Sequence, residues 1–566
     1  MNRWALREQP ADQVEQLAGE LSCSPLLARL LLARNLGNPD DARRFLSPRL
    51  DELHPPWQMA DMQRSVDRIL RAIELKESIL IYGDYDVDGV TSVVILKKMI
   101  AMLGGQASSF IPRRFVEGYG LHEERLKEFA TAGYRLVISV DSGIRAFSVC
   151  LLAARLGIDL IVTDHHLPDR QLPEAYAILN PRRPDCGYPE KELAGVGVTF
   201  KLVQALLERS GKSHLIPSFL KIVAIGTIAD IVPLRGENRI LVAHGLRGLK
   251  TPVNIGLKAL IEATGLAGKD LCFEDVGFRI GPRINALGRL GDSREAVELF
   301  ETNDMAQARA LVEHMNQQNL QRQGHEAEML EKIEAEFGAR LRSGVDPVIV
   351  VSGPSWHAGV VGIVASRLVD RYYHPALVIA VEGERAQGSG RSIPGLHLLE
   401  ALESCGALFE KFGGHAQAVG FHLPSSQIDA LRAGLAEHAG SRLTPELLCR
   451  EIAIDGVVGP DEISPGLLED IAQLAPFGHG NPVPRLMASG VRSLGEPRVL
   501  KDKHLKFKVG SPRKNFDAIW WRRASQKEGL DFSRPFDVVY TLVESEYRGL
   551  RSIQWNVVDI RQSCVN

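Results

Sequence analysis

Three short, mainly apolar segments that each run into carboxylate or imidazole side chains constrain the fold of this 566-residue chain more than any other feature. The segments are 79–82, followed after Gly83 by Asp84, Asp86 and Asp88; 136–140, followed by Asp141; and 160–163, followed by Asp164, His165 and His166. Apolar runs of this length are typical of strands buried within a parallel sheet. The pattern therefore predicts an α/β fold whose strands deliver these polar side chains to one edge of the sheet.

The polar side chains at these strand ends are predicted to bind metal ions. Open α/β sheets bind their ligands outside the carboxyl ends of the strands. Carboxylates gathered at one place repel one another unless cations compensate, and carboxylate with imidazole ligands suits Mg²⁺ or Mn²⁺. Five or more such ligands allow two ions about 3.5–4 Å apart, as in two-metal phosphoryl-transfer enzymes. Asp230, which follows the apolar helical segment 219–229, fits this set because an unpaired buried acid is costly.

Each motif taken alone also has a structural explanation. The run 84–89 resembles the start of a calcium-binding loop, but such a loop needs a glutamate at its twelfth position, which is Ile95 here. Asp141 and Asp230 alone could cap a turn or a helix, and paired histidines are more often structural than ligands. The prediction of a metal site therefore depends on the coincidence of these motifs at equivalent strand ends.

The Asp-His-His run at 164–166 and seven further stretches resemble the DHH phosphoesterase superfamily, and most closely its bacterial exonucleases specific for single-stranded DNA. The further stretches lie at 111–114, 117–121, 226–230, 281–289, 356–367, 389–392 and 413–415. No predicted metal ligand departs from the family pattern. The resemblance spans most of the chain, and it implies a DHH domain, a DHHA1 domain and an OB-fold.

The predicted fold class is multi-domain α/β, in which a parallel-sheet DHH domain and a smaller α/β DHHA1 domain are joined by a long helix and followed by a C-terminal β-barrel. The predicted boundaries are an N-terminal helical lead-in at 1–48, the catalytic DHH domain at 49–300, the connecting helix at 301–342, the substrate-binding DHHA1 domain at 343–450 and the OB-fold-like single-strand DNA-binding domain at 451–566. The runs at 195–197 and 211–213 lack the further glycines of nucleotide-binding loops, so no nucleotide cofactor is predicted.

The charge distribution favours a nucleic-acid substrate despite a net charge of −3. Residues 485–551 carry fifteen Lys or Arg against eight Asp or Glu, an excess of seven positive charges. Basic strand-like segments in this region alternate with aromatic residues, including Trp520 and Trp521. Such surfaces bind single strands because cations follow the phosphates while rings stack on bases. The alternative is an ordinary β-domain in which both tryptophans belong to the core and the charges form a solvated face.

Together with the resemblance, these features predict a two-metal exonuclease that releases 5′-mononucleotides from single-stranded DNA in repair and recombination. The predicted catalytic residues are the metal ligands Asp84 or Asp86, Asp88, Asp141 as a bridge, His165 and Asp230, with Asp164 and His166 beside them. Asp164 is predicted to orient His165, and His166 to steady the phosphate or the leaving oxygen. The predicted DNA-binding residues are Arg114, Arg283, Asn285, Arg289, His357, Ser389, Gly390, Arg391, Gly414 and His415. Digestion from the 5′ end is implied by the resemblance alone.

Two competing functions are a DHH phosphodiesterase for short oligonucleotides or small phosphate compounds, and a non-catalytic scaffold that binds single strands. The first has no need of a basic C-terminal domain, and the intact ligand set argues against the second. Seven cysteines without a paired motif, no apolar leader and no apolar stretch of about 18 residues predict a cytoplasmic chain without membrane contact. The resemblance further implies a monomer whose partners are a single-strand-binding protein and a helicase.

Overall fold

The computed structural model describes residues 2–114, 116–547 and 550–563. The N-terminal region contains β1 (Arg3–Leu6), α1 (Ala11–Leu21), α2 (Pro25–Leu32) and α3 (Pro39–Leu46). The first α/β region contains α4 (Met62–Glu74), β2 (Ile79–Tyr82), α5 (Val87–Met102), β3 (Ala107–Phe110), α6 (Glu123–Thr131), β4 (Leu136–Val140), α7 (Phe147–Arg155), β5 (Asp159–Thr163), β6 (Ala177–Leu179), α8 (Gly195–Arg209), α9 (Ile216–Ala229), α10 (Gly236–Leu249), α11 (Ile255–Ala263), α12 (Phe273–Asp275), a π-helix (Val276–Ile280), α13 (Gly281–Leu290) and α14 (Arg294–Glu301).

A long helix, a second α/β region and a β-rich region complete the chain. The helix is α15 (Met305–Ser343). The second α/β region contains β7 (Ile349–Pro354), α16 (Val361–Tyr372), β8 (Ala376–Glu382), β9 (Arg385–Arg391), α17 (Leu398–Glu403), β10 (Lys411–Gly414), β11 (Ala418–Pro424) and α18 (Ile428–Gly440). The C-terminal region contains β12 (Glu451–Ile454), β13 (Gly456–Val457), α19 (Pro465–Gln473), β14 (Leu486–Ser493), β15 (Arg498–Leu500), β16 (His504–Gly510), β17 (Asn515–Trp520), β18 (Phe536–Tyr547) and β19 (Leu550–Gln562).

The first α/β region is built on a five-stranded parallel sheet with the strand order β3-β2-β4-β5-β6. Leu136 of β4 pairs with both Ile79 of β2 and Asp159 of β5, so the carboxyl ends of these three strands lie side by side. All residues of β2 and β4 are buried because apolar clusters pack against both faces of the sheet. The predicted α/β class is confirmed, and the three strand ends share one edge.

Helix α9 brings Asp230 to the same edge by crossing α5 closely. A Cβ atom at Gly226 of α9 would lie 2.3 Å from Thr91 Oγ1 of α5, so only glycine fits where the two helices cross. Gly226 is four residues before Asp230, and Thr91 is three residues after Asp88. One turn of helix on each side of the crossing therefore brings the two carboxylates toward each other.

Helix α15 is shared between the two α/β regions. Its first half contributes Val312 and Met315 to the core of the first region, and its second half contributes Met329 and Ile333 to the core of the second region. Asp304 caps its N-terminus by accepting a hydrogen bond from the Ala306 amide at 2.8 Å. With 39 residues the helix is about 58 Å long, so it fixes both regions to one rigid element.

The second α/β region is built on a mixed sheet with the order β10-β11-β9-β8-β7, in which the glycine-containing strand β9 is central and β10 lies at the edge. Only β7 and β8 run parallel among these strands, and β9, β10 and β11 form antiparallel pairs. Strand β9 ends in Ser389, Gly390 and Arg391, and β10 ends in Gly414. A Cβ atom at Gly390 would lie 2.8 Å from Val419 Cγ2, so close packing between β9 and β11 requires this glycine.

The C-terminal region forms a closed barrel, because β14 pairs with β16 as well as with β18. Tyr540 and Trp555 stack at its centre with ring centroids 3.7 Å apart. The N-terminal helices share this core: Leu27 and Leu31 belong to the same apolar cluster, and β1 pairs with β12 in parallel. None of the helices in the described part of the chain combines the length and the apolar character needed to span a bilayer.

Candidate metal centre and nucleic-acid cleft

The carboxylates after β2 are fixed by backbone amides at the start of two helices. Asp86 caps α5, since its Oδ1 accepts hydrogen bonds from the amides of Asp88 at 2.9 Å and Gly89 at 3.1 Å. Asp88 accepts hydrogen bonds from the amides of Gly195 and Val196, each at 2.7 Å, at the start of α8. A helix N-terminus stabilises negative charge, so α8 holds Asp88 in one orientation. Sequence reasoning missed these two amide donors.

Asp141 lies at the centre of the site in a constrained backbone conformation. Its φ is 58°, in the left-handed region that few residues other than glycine adopt, although aspartate is among those that tolerate it. A Cβ atom at Gly195 would lie 2.6 Å from Asp141 Oδ1, so any larger residue at 195 would displace the carboxylate. The structure thus uses a strained strand end and a glycine to bring Asp141 against the start of α8.

His165 lies among three of the carboxylates. Its Nε2 is 3.2 Å from Asp141 Oδ1 and 4.0 Å from Asp88 Oδ2, and its Nδ1 is 3.6 Å from Asp230 Oδ2. Three groups have potential ligand atoms within 4.8 Å of one another: Asp84 with Asp86 and Asp141, Asp88 with His165 and Asp230, and Asp141 with His165 and His166. Asp141 belongs to two of these groups, as a bridging ligand would.

Buried atoms without a hydrogen-bond partner are concentrated at this centre. They include Asp84 Oδ1, Asp141 Oδ1, Asp230 Oδ2 and both ring nitrogens of His165. Burial of such atoms costs free energy unless another partner compensates. Their chemistry, carboxylate oxygen with neutral imidazole, is that of ligands for a hard divalent cation.

The electrostatics of the centre follow from the same crowding. Burial, together with repulsion between neighbouring carboxylates, raises the pKa of Asp84, Asp141 and Asp230, and raises the pKa of Asp88 to about 7. Burial lowers the pKa of His165 to about 3, which keeps its ring neutral and able to act as a ligand. A cation at the centre would relieve the repulsion and favour the ionised carboxylates.

The prediction that Asp164 orients His165 is wrong, because the ring that it holds is that of His166. The His166 ring donates from Nδ1 to Asp164 Oδ1 at 2.8 Å, whereas His165 gives Asp164 only its backbone amide. Burial would raise the pKa of Asp164, but the hydrogen bond from His166 and its charge lower it to about 2. Burial alone would lower the pKa of His166, but the hydrogen bond to Asp164 and the negative charge of that carboxylate raise it above its ordinary value. The pair therefore favours a protonated His166 beside an ionised Asp164.

Three of the predicted DNA-binding arginines meet where the two α/β regions face each other. Arg289 donates from Nη1 to the Gly359 carbonyl across the cleft at 2.9 Å. Arg391 donates to Ser389 Oγ at 3.1 Å and to the Gly390 carbonyl at 2.8 Å. Arg114 lies over the Tyr85 ring at 5.1 Å, next to the candidate metal ligands. None of these three arginines forms an ion pair within the described part of the chain, so the cleft carries uncompensated positive charge.

The other predicted DNA-binding residues are more dispersed. Asn285 accepts a hydrogen bond from the Val87 amide at 3.2 Å, which places it at the start of α5. His357 stacks on His325 of α15 with ring centroids 5.3 Å apart. Arg283 donates to Asn316 and to the Arg279 carbonyl, so the structure holds it against α15 and does not bring it to the arginine cluster.

Gly414 and His415 line a cavity of about 450 Å³ between the two regions, and His166 and Asp164 form part of its opposite wall. Tyr119, which sequence reasoning did not select, also lines this cavity. Its hydroxyl is 3.4 Å from both the Asp141 carbonyl and His166 Nδ1. The stretch 117–121 was the available signal, but a single tyrosine there could not be placed beside His166 without the fold.

The two adjacent tryptophans of the barrel have different environments. Trp520 is only 4% exposed and belongs to the core, whereas Trp521 is 50% exposed. The Trp521 ring packs edge-on against His504 at 4.8 Å, and its Nε1 donates to Asn556 Oδ1 at 3.2 Å. The pair thus combines a core residue with an aromatic surface of the kind that stacks on bases.

Known proteins match every region of this architecture. The family models "DHH family, N-terminal domain", "DHHA1 domain" and "RecJ OB domain" match residues 78–227, 346–439 and 454–559. The single-stranded-DNA-specific exonuclease RecJ of Bacillus subtilis (strain 168) is 37% identical over 566 residues, covering 98% of this chain and 70% of that relative. The chain belongs to the RecJ family. The RecJ exonuclease of Escherichia coli (strain K12) is 34% identical to this chain, and the match covers 97% of each of the two proteins.

A solved structure of the RecJ family has the same arrangement of domains. The crystal structure of RecJ in complex with Mn²⁺ from Thermus thermophilus superposes with a TM-score of 0.85 at 30% identity, covering 100% of this chain and 80% of that one. The same protein has also been solved in complex with Mg²⁺. The predicted family and the predicted combination of DHH, DHHA1 and OB-fold domains are confirmed.

Proposed function

We propose that this chain is a metal-dependent exonuclease that removes 5′-mononucleotides from the 5′ end of single-stranded DNA, in repair and recombination. The observation that carries this proposal is the set of five unpartnered buried atoms on Asp84, Asp141, His165 and Asp230. Relatives in the RecJ family are named single-stranded-DNA-specific exonucleases, which supports single-stranded DNA as the substrate. The unpaired arginines in the adjacent cleft supply the charge that such a substrate needs.

The resident cofactor in this proposal is a pair of Mn²⁺ or Mg²⁺ ions. The residues that would hold them are Asp84 or Asp86, Asp88, Asp141, His165 and Asp230. Bound there, the ions supply an easily deprotonated water and offset the charge that develops on the scissile phosphate. The mixture of carboxylate oxygens and one neutral imidazole fits either ion, and RecJ of Thermus thermophilus has been solved in complex with each of them.

His166 is the residue of this chain that we assign to the phosphate or the leaving oxygen. Its Nδ1 is occupied by Asp164, which leaves Nε2 for the substrate. Because Asp164 favours the protonated ring, His166 can donate a charge-assisted hydrogen bond to a phosphate oxygen. His166 therefore contributes a positioned positive charge, and it is not needed as a general base.

The arginine cluster supports digestion from a strand end. A terminal phosphate monoester carries about −1.5 to −2 charges at pH 7, against one for an internal phosphodiester. Arg114 lies next to the candidate metal ligands, and neither it nor Arg289 nor Arg391 has a carboxylate partner in the described residues, so the cluster favours the more highly charged group. This preference supports digestion from a strand end, and the choice of the 5′ end is part of the proposal.

The division of the chain and its cellular context complete the proposal. We assign catalysis to 49–300, substrate binding to 343–450 and single-strand binding to 451–566, with a lead-in at 1–48 and a connecting helix at 301–342. Because the proposed substrate is single-stranded, duplex DNA has to be unwound before digestion, so we propose a helicase and a single-strand-binding protein as partners of a monomeric, cytoplasmic enzyme.

Digestion of end-labelled single-stranded DNA tests the proposed activity. With Mn²⁺ or Mg²⁺, a 5′ label is expected to appear at once as mononucleotide, while a 3′ label stays on progressively shorter strands. EDTA should stop both changes. Persistence of long DNA alongside hydrolysis of dinucleotides would favour the short-oligonucleotide phosphodiesterase, and binding without hydrolysis under all metal conditions would favour the scaffold.

Replacing Trp521 by alanine tests the role of the barrel. The substitution is expected to weaken binding of long single-stranded DNA by about 1–3 kcal/mol, because one base–aromatic stack is lost. Unfolding stability should change little, since Trp521 is half exposed. Fluorescence anisotropy with a labelled oligonucleotide measures the affinity, and Trp57→Ala, at an exposed tryptophan of the first region, is the matched control. If the two variants bind DNA with equal affinity, the basic strands form an ordinary solvated face and not a DNA-binding surface.

A further inference from the structure

Arg322 of the connecting helix has no role in the function proposed above, yet it lies beside the arginine cluster. Helix α13 packs against α15, and Arg283 of α13 donates to Asn316 Oδ1 of α15 at 2.6 Å. His325, three residues after Arg322 on α15, stacks on His357. Gly359, two residues after His357, accepts the hydrogen bond from Arg289 Nη1. The charge of Arg322 also acts on Arg289. These contacts bring the stretch of α15 that carries Arg322 close to Arg289.

Arg322 is held in a fixed position. Its side chain is only 12% exposed. Its Nε and Nη2 donate to Asn319 Oδ1 at 3.3 and 3.1 Å, and its Nη1 donates to Glu326 Oε2 at 3.3 Å. The other oxygen of Glu326 accepts a hydrogen bond from Arg367 of α16 at 2.8 Å. One carboxylate is thus shared by two arginines, which orients Arg322 without neutralising the charge around it.

Positive charge in this part of the cleft exceeds its compensation. Burial and repulsion from Arg114, Arg322 and Arg391 lower the pKa of Arg289 to about 10, and burial with repulsion from Arg114 lowers the pKa of Arg391. The acceptors of Arg289 and Arg391 are neutral oxygens. Arg391 also borders α16, since a Cβ atom at Gly362 would lie 3.2 Å from its Nη2. A single multiply charged anion would compensate several of these guanidinium charges simultaneously.

We propose that Arg322 is a specificity-determining residue that joins Arg114, Arg289 and Arg391 in binding the 5′-terminal phosphate of the DNA substrate. The inference rests on the proposed function. It adds the connecting helix to the substrate site, so that both α/β regions and the helix between them contact the same phosphate. Asn319 and Glu326 act through Arg322 as positioning residues.

The test compares single-stranded DNA carrying a 5′-phosphate with the same strand carrying a 5′-hydroxyl. For the full-length Arg322→Gln variant, kcat/KM on the phosphorylated strand is expected to fall about tenfold to a hundredfold, because a charge-assisted hydrogen bond is lost. The loss should appear mainly in KM, while kcat/KM on the hydroxyl strand changes less than about threefold. Arg322→Lys keeps the charge without the planar donor set, so an intermediate loss is expected.

The matched control is Arg340→Gln, on the same helix at an exposed ion pair with Asp346, and it should leave both substrates unaffected. Thermal unfolding of each variant checks that the fold is retained. An equal loss on both substrates, or no loss on either, would overturn the role of Arg322. Wild-type enzyme that degrades both strands equally would also overturn it while leaving the exonuclease proposal intact. Absence of any metal-dependent degradation by the wild type would instead refute the proposed function itself.

Discussion

Replacing Asp141 by asparagine is expected to lower the rate of single-strand digestion by about a thousandfold or more. Asp141 belongs to two of the three candidate ligand groups, so its carboxylate affects both proposed ion positions. Asparagine has the same shape, and it fits the narrow space against Gly195. The variant removes the charge without repacking the site, which makes the loss of activity specific to metal binding. Initial rates of mononucleotide release at saturating Mn²⁺ measure the effect.

The same substitution is expected to leave the metal-free protein as stable as the wild type, or more stable. Burial and neighbouring carboxylates raise the pKa of Asp141, so its ionised form opposes folding at neutral pH. Thermal unfolding in EDTA checks this expectation. Asp270→Asn, at an exposed carboxylate paired with Lys250, is the control and should keep full activity. Near-normal digestion by the Asp141 variant would remove the central support for a two-metal mechanism.

The strand ends of the first region are predictable from sequence because burial on both faces of a parallel sheet leaves a strong apolar signal. The register that aligns Ile79, Leu136 and Asp159 then follows from the fold class. Side chains at the carboxyl ends of such strands must share one edge, whichever loops connect them. This geometric rule is why the sequence alone groups Asp84 with Asp141 and His165.

The contacts that complete the site are not predictable, because they join residues far apart in the chain. The amide of Gly195 binds Asp88 from 107 positions away, and in the sequence the run at 195–197 suggests only an incomplete nucleotide motif. The pairing of Asp164 with His166 depends on side-chain directions that adjacent residues do not reveal. Arg322 lies in a polar helix whose periodicity gives no sign of a cleft.

The position of the N-terminal region is a further feature without a sequence signal. The sequence predicts a helical lead-in at 1–48 without indicating its packing partner, and in the structure these helices share a core with the C-terminal barrel. Arg239 of α10 adds a connection by donating to the carbonyls of Ala475 and Pro476, between strands β13 and β14 of the barrel. The amphipathic pattern of a helix shows which face is buried, but it does not identify the partner.

Divalent metal is expected to reverse a pH-dependent loss of stability in the first α/β region. Asp88 has a folded pKa of about 7 and an ordinary value of 3.8, so its contribution to stability is present at low pH and is lost as pH rises through about 7. The raised pKa values of Asp84, Asp141 and Asp230 act in the same direction. The pKa of His165 is lowered to about 3, so its contribution to stability increases as the pH rises from about 3 to its ordinary value of 6.5 and is constant above that. Asp88 loses its contribution between its ordinary value of 3.8 and about 7, so above about pH 6.5, where His165 no longer opposes it, stability in EDTA should fall as the pH rises to about 7.

Bound metal changes that balance because it favours the ionised carboxylates and binds only the folded site. At a free Mn²⁺ concentration of about 100 times the dissociation constant, the gain is about 2.7 kcal/mol. Differential scanning calorimetry of the whole chain at about pH 6.5 and 7.2 should show the first transition falling with pH in EDTA, and rising by several degrees with Mn²⁺. Asp141→Asn should lose most of the Mn²⁺ response, whereas Asp270→Asn should keep it. If the temperature of the first transition rises with pH in EDTA, or does not change with Mn²⁺ in the wild type, the crowded carboxylates are neutralised by protein contacts and not by a cation.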